Sequence, residues 1–221
     1  MTIESEEHAR GFVVELAEQL GSSEAMGRLD DYAALLLEEN QRQNLISKAS
    51  EAHLWQRHIA DSAQLLRFVP RETLGGGAQG PWLDLGSGPG LPGLVIAAIC
   101  PQMPVTMVES RARRVAFLER CIAALGLSKA QVIGERLERI TPFPARAISA
   151  RAFAPLETLL SLSAPFSTAD TRYVLPKGRS AAHELASLRP AIRKMFHVEQ
   201  SPWLVARSLP WKGIKSSPMA L

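Results

Sequence analysis

A chain of 221 residues, 46% hydrophobic and 21% charged, can bury one good core with a modest appendage and is too apolar for intrinsic disorder. The acidic start MTIESEEHAR is no secretory signal, and no stretch reaches the roughly 18 apolar residues of a membrane span. Cys100 and Cys121 fit neither a zinc spacing nor a disulfide framework, so a reducing, cytoplasmic compartment is expected.

In chain order, residues 1–75 read as helical. Val13, Leu16, Ala17 and Leu20 repeat at helical spacing, and Gly21-Ser22-Ser23 punctuates before a second stripe of Leu29, Tyr32, Ala33, Leu36 and Leu37. A third segment, Glu51 to Phe68, is expected to follow Ser50 as its N-cap. The run Leu74 to Pro81, rich in glycine, predicts a flexible break, dividing a helical extension (1–75) from a second unit (81–215).

That second unit alternates strands and helices. Strands are expected over Trp82–Leu85, Val105–Val108, Gln131–Ile133, Arg146–Ser149 and Arg172–Leu175, and helices over Gly93–Ile99, Arg113–Ala124, Leu156–Leu162 and Ala181–Leu188. Two further strands, Met195–Val198 and Trp203–Leu209, are separated by Glu199-Gln200-Ser201-Pro202, enough for a hairpin and too little for a crossover helix. The pattern predicts an α/β, Rossmann-like fold with a mostly parallel sheet and a C-terminal antiparallel hairpin.

Charge is unevenly placed. Residues 1–75 hold 13 acids and 7 bases, whereas residues 76–221 hold 9 acids and 18 bases. The basic excess of the second unit suits a polyanionic partner such as RNA, although solubility alone explains much of it.

The most informative segment is LDLGSGPGLPG, Leu83 to Gly93, between a predicted strand and a predicted helix. Its glycines let the backbone turn sharply and approach a ligand, at the strand end where open α/β sheets bind cofactors. A dinucleotide and S-adenosylmethionine compete for such a loop. Asp84 would meet an approaching pyrophosphate with like charge, and the chain beyond is short for a dehydrogenase; both favour S-adenosylmethionine, whose sulfonium and ammonium tolerate a carboxylate. Gly86 and Gly88 are assigned to backbone approach, with a Cβ at Gly86 expected to obstruct the ligand. Glu109, closing the second strand, is placed to accept the ribose hydroxyls.

Three blocks extend the reading: RHIADS (Arg57 to Ser62), LDLGSGPGLPG, and ISARAFAPL (Ile148 to Leu156). In this order and spacing the chain, from NLIS at Asn44 to Lys177-Gly178, resembles the glucose-inhibited division protein B family, the 16S ribosomal RNA guanine-N7 methyltransferases of small-subunit type G. It departs from the family pattern at Ala150, between Ser149 and Arg151, and at LPKG around Lys177. The resemblance implies a class I S-adenosylmethionine-dependent methyltransferase fold with a helical N-terminal extension. It further implies that Gly86 and Leu91 line the cofactor site, that Leu137 and Glu138 flank the adenine, and that Arg151 completes the pocket. Its implied partner is 16S rRNA or the small ribosomal subunit particle, met by a monomer without a membrane.

The chemistry agrees. Guanine N7 has a lone pair and no proton to lose, so no general base, and no catalytic residue beyond alignment, is expected. There is neither an Asn/Asp-Pro-Pro-aromatic block for exocyclic amines nor a Pro-Cys pair for cytosine C5. Arg111, Arg113 and Arg114 suit RNA phosphates away from the cofactor, with a solvated helix face as the alternative, and Lys177 at a strand edge suits either RNA or a structural contact. His58 and Asp61, three apart on a helix, are too few for a metal site and predict a structural hydrogen-bonding role. The alternatives are a methyltransferase of another RNA such as tRNA, a non-catalytic nucleotide-binding module on the same fold and, last, a dinucleotide oxidoreductase.

Overall fold

The computed structural model describes residues 5–75, 80–177, 181–200 and 212–216. Helix α1 (Glu6–Gln19) is capped by Ser5, whose hydroxyl accepts from the His8 N–H, and α2 (Ala25–Gln43) ends at Asn44 in the left-handed conformation that asparagine tolerates. The short α3 (Lys48–Glu51) follows. Next comes one helical run of changing pitch: a π turn (Trp55–Ile59), α4 (Ala60–Ala63) and a 3-10 turn (Gln64–Phe68). Ser50 is therefore no N-cap. It lies inside α3, 3% exposed, with its hydroxyl donating to the Ser47 carbonyl. The start of the π turn is served from afar: the Glu6 carboxylate accepts from Trp55 and Gln56 N–H at 2.9 and 3.0 Å.

After α5 (Arg71–Leu74), strands and helices alternate as β1 (Trp82–Leu85), α6 (Gly93–Ile99), β2 (Val105–Val108), α7 (Ala112–Ala124), β3 (Ala130–Ile133), β4 (Ala147–Ala150), α8 (Leu156–Ser163), β5 (Arg172–Lys177), α9 (Ala181–Ser187), α10 (Pro190–Arg193), β6 (Phe196–Gln200) and β7 (Lys212–Ser216). The sheet order is β3-β2-β1-β4-β5-β7-β6, parallel from β3 to β5 and antiparallel for β7 against both neighbours. The expected short turn at Glu199–Pro202 is corrected, because Glu199 and Gln200 continue β6 and pair with Gly213 and Lys212. The expected strand Trp203–Leu209 lies outside the described residues.

Both faces of the sheet are covered, as the uniformly buried β1, β2 and β4 require. On one side Trp82, Val105, Met107 and Ala147 join α6, α7 and the N-terminal helices in a single core. On the other, Leu83, Leu85, Val108 and Ile148 pack with Leu156, Leu159 and Ala181 of α8 and α9. Helix α2 is stapled to the α/β unit by Arg120–Glu39 at 2.8 Å, by Gln43 donating to the Arg113 carbonyl at 3.1 Å and by the Tyr32 hydroxyl donating to the Pro89 carbonyl at 2.9 Å. Arg146 grips both sides of the glycine-rich break, donating to the carbonyls of Thr73, Gly75 and Gly80. Among the described residues no helix is long and apolar enough to cross a membrane.

Because α2 shares its core with α6 and α7, Leu29→Ala at a fully buried position should lower the stability of the whole chain by about 2–5 kcal/mol. Calorimetry should show one melting transition moved down. A separate early transition for the N-terminal helices would contradict the shared core.

Candidate functional site

The register of the parallel strands sets the site. Leu85 stands level with Val108 on one side and Ala150 on the other, so the segments that begin with Gly86, Glu109 and Arg151 leave the sheet side by side. Strand order reverses between β1 and β4, and at such a switch point the two neighbouring loops part and open a crevice.

The glycine loop is fixed from below. Gly86 and Ser87 N–H both donate to the Val108 carbonyl, at 2.8 and 3.1 Å. Asp84 is fully buried: one carboxylate oxygen accepts from the Ser149 hydroxyl at 2.7 Å, the other from the Gly93 N–H, which opens α6, at 3.2 Å. Ser149 in turn accepts from the Trp82 indole N–H at 2.9 Å. Burial pushes the Asp84 carboxyl up; hydrogen bonds from Ser87, Ser149 and the Gly93 N–H, and the charge of Arg151, oppose it. Asp84, expected to meet the cofactor, is fully buried and outside the cavity lining described below; its hydrogen bonds hold the loop that forms the crevice.

Gly86, Gly88 and Gly90 all have positive φ, 65°, 57° and 97°. A Cβ on Gly86 would stand 2.7 Å from the Phe153 ring, so this glycine makes room for Phe153. Gly88 fits the expected role better, since a Cβ there would lie 3.7 Å from Arg114 Nη1, at the crevice. Glu109 is 5% exposed and accepts from the Gly88 N–H at 3.0 Å and the Arg111 N–H at 2.9 Å, with Arg114 at 3.6 Å.

Above the loop lies a cavity of about 360 Å³, in the range of small-molecule sites. It is lined by Gly86, Ser87, Gly88, Pro89 and Leu91 of the glycine loop, by Arg114 on α7, by Arg151 and Ala152 after β4, and by Leu45, Ile46 and His58 of the N-terminal segment. Ala152 takes φ 51°, rare outside glycine, at the turn between Arg151 in the cavity wall and Phe153 over Gly86. Two polar atoms of this wall, His58 Nδ1 and Arg151 Nη1, are buried without a hydrogen-bond partner. Burial, with Arg151 and Arg57 nearby, pushes the His58 imidazole down to about 3, so the ring is neutral at ordinary pH.

The structure places Gly86, Gly88, Leu91 and Arg151 in one cavity, together with residues the sequence reading did not assign to the site. His58 was given only a structural role and Leu45 and Ile46 none, although NLIS and RHIADS were already conspicuous blocks. Arg114, expected on RNA phosphate, instead lines the cavity beside Glu109. Lys177 is committed to structure, paired with Glu184 at 2.9 Å and donating to the Ala154 carbonyl. Arg111 and Arg113 are exposed at the start of α7. Leu137 and Glu138 lie outside the cavity lining: Leu137 is buried in the second core and Glu138 is exposed. Asp61 turns away to a 2.7 Å hydrogen bond from Gln64.

Comparison with known proteins adds the following. Residues 25–206 match the family model described as rRNA small subunit methyltransferase G, under the name GidB. A ribosomal RNA small subunit methyltransferase G of Erythrobacter litoralis is 55% identical over 199 residues, covering 90% of this chain and 91% of that one. Its counterpart in Novosphingobium aromaticivorans is 51% identical, covering 91% and 85%. Among solved structures, a putative O-methyltransferase from Klebsiella pneumoniae superposes with a TM-score of 0.58 at 14% identity, covering 85% of this chain and 90% of that one. Human methyltransferase 10 domain containing protein gives 0.56 at 12% identity, covering 72% and 83%. These structural likenesses establish the class I methyltransferase fold.

Gly86→Ala and Gly88→Ala separate the two glycine roles. Each pays about 1–2 kcal/mol for a left-handed backbone, but only Gly86→Ala also drives a Cβ into Phe153. Urea unfolding should find Gly86→Ala the more destabilised. Equal losses would mean that Phe153 yields freely.

Proposed function

Since the chain belongs to the rRNA small subunit methyltransferase G family, we propose that it methylates N7 of a guanine in 16S ribosomal RNA, taking the methyl group from S-adenosylmethionine. The observation that carries this reading is the cavity at the strand-order reversal, floored by the glycine loop and holding two unpartnered polar atoms. Buried polar atoms without partners are costly, and a ligand with complementary groups removes that cost. S-Adenosylmethionine fits: its carboxylate suits the Arg151 guanidinium, and its ribose hydroxyls suit lone pairs left on Glu109. Gly86, Gly88 and Leu91 would contact it along the loop. Its adenine would extend across the ends of β2 and β3 toward Leu137 and Glu138. When bound, it supplies an electrophilic methyl group on a sulfonium centre.

The protein's part is alignment. Guanine N7 offers a lone pair without shedding a proton, which leaves no work for a base. The product guanine is cationic, so free positive charge beside N7 would raise the barrier. Arg114 is paired with Glu109 and is muted accordingly. In this reading residues 1–75 are an extension that closes the cofactor cavity of the unit over 81–215. The chain works as a cytoplasmic monomer on 16S rRNA or the small-subunit particle. The test is N7-methylguanine mapping in 16S rRNA by borohydride and aniline cleavage, in cells with and without this chain. Loss of one site, restored by the chain and not by its Arg151→Ala variant, is expected; an unchanged map overturns the reading.

The exposed pair and the cavity arginine should behave differently. Neutralising Arg111 and Arg113 together should lower the slope of log RNA affinity against log salt by ~0.7–0.9 per lost phosphate contact and leave cofactor affinity unchanged. Arg114→Gln should change cofactor affinity. If the salt slope stays constant, Arg111 and Arg113 are only solvated charges.

A further inference from the structure

A hydroxyl carries one proton, and where Ser50 places it sets the tautomer of His58. Ser47 Oγ donates to Ser50 Oγ at 3.0 Å, and Ser50 Oγ spends its own proton on the Ser47 carbonyl at 2.7 Å. With its proton on the Ser47 carbonyl, Ser50 Oγ meets His58 Nε2, 2.9 Å away, as an acceptor, and this is the arrangement the proposal takes. The ring is protonated at Nε2, and Nδ1 is left as a bare lone pair. Nδ1 is buried without a partner on a residue 8% exposed, in the wall of the cavity floored by Gly86, Ser87 and Gly88. The ring stays neutral because burial and the charges of Arg151 and Arg57 resist a second proton.

Such a wall offers one acceptor that cannot become a donor and, on Arg151, one cationic donor, both unsatisfied. The ligand chemistry that satisfies both at once is an α-amino acid zwitterion, with ammonium and carboxylate on one carbon. The acids of the site have other work: Asp84 is held by Ser149 and Gly93, and Glu109, already bonded to Gly88 and Arg111, keeps its remaining lone pairs for the ribose in the reading above. We propose that His58 Nδ1 accepts a hydrogen bond from the α-ammonium of the cofactor's methionine portion while Arg151 meets the carboxylate. This assignment rests on the cofactor reading above. It gives the RHIADS segment a direct part in binding, delivered from the N-terminal helices.

The test uses two ligands that differ in this portion alone. S-Adenosylhomocysteine carries the amino-acid tail, and 5′-methylthioadenosine replaces it with a methyl group. Calorimetry on the full chain should show His58→Ala weakening S-adenosylhomocysteine by about tenfold or more, as for a lost hydrogen bond to a charged group, with 5′-methylthioadenosine unmoved. His58→Asn, whose amide oxygen can stand near the place of Nδ1, should retain part of the preference for the tailed ligand, and it serves alone if His58→Ala fails to fold. An unchanged S-adenosylhomocysteine affinity in both variants overturns the proposal, as does an equal loss for the two ligands. Wild-type protein that binds neither ligand overturns the cofactor reading itself, a result distinct from either.

Discussion

A carboxylate sealed from water must find its hydrogen bonds inside the protein, and Asp84 finds them in two separate elements. Ser149 on β4 donates to one oxygen, and the first N–H of α6 donates to the other. One side chain thus sets the spacing between the neighbouring strand and the helix that follows the glycine loop. Gly93 permits the approach, since a Cβ there would lie 2.9 Å from the same carboxylate and closer still to Met107. The cost of burying the charge is offset by these donors only while the geometry holds. The glycine loop after β1 and Arg151 after β4 both follow strands tied together by that contact.

The second constraint is the dependence of the crevice on the N-terminal helices. An open α/β sheet supplies a floor and one wall, and here the other wall is Leu45, Ile46 and His58. Asn40 anchors the first of these pieces: its side chain accepts from the Ile46 N–H at 2.8 Å and donates to Glu51 at 2.7 Å. The π turn at Trp55–Ile59 widens the helix where His58 reaches the cavity, a deviation from regular pitch that often accompanies function. The N-terminal segment is structurally part of the site.

Much of the fold was legible because its signals are local. Five strands and four helices follow from apolar runs and glycine punctuation, and the parallel sheet follows from their alternation. The glycine loop was legible too, although the packing of Gly86 was not: its neighbour, Phe153, lies 67 positions further along the chain, beyond the reach of local pattern. Distance along the chain also hid His58 and Arg114, which the π turn and α7 bring to the same cavity as the glycine loop. Ser50 misled for a related reason. A serine before an apolar run looks like an N-cap, and only burial reveals a hydroxyl turned inward toward an imidazole. The resemblance supplied Leu91 and Arg151, which spacing alone does not assign.

The sharing of one core between α2 and the helices α6 and α7 bears on the order in which the chain is made. Leu29, Tyr32 and Leu36 belong to α2, which leaves the ribosome well before residues 93–124 of α6 and α7, whose core they share. In a nascent chain of residues 1–75, α1 can pack on α2, the π turn and α4, but the side of α2 that meets α6 and α7 is still uncovered, and short helices are marginal alone. That side must wait, exposed, until roughly fifty further residues have emerged. The acid-rich character of this stretch, 13 Asp or Glu against 7 Lys or Arg, acts during that interval, since like charges keep waiting chains apart.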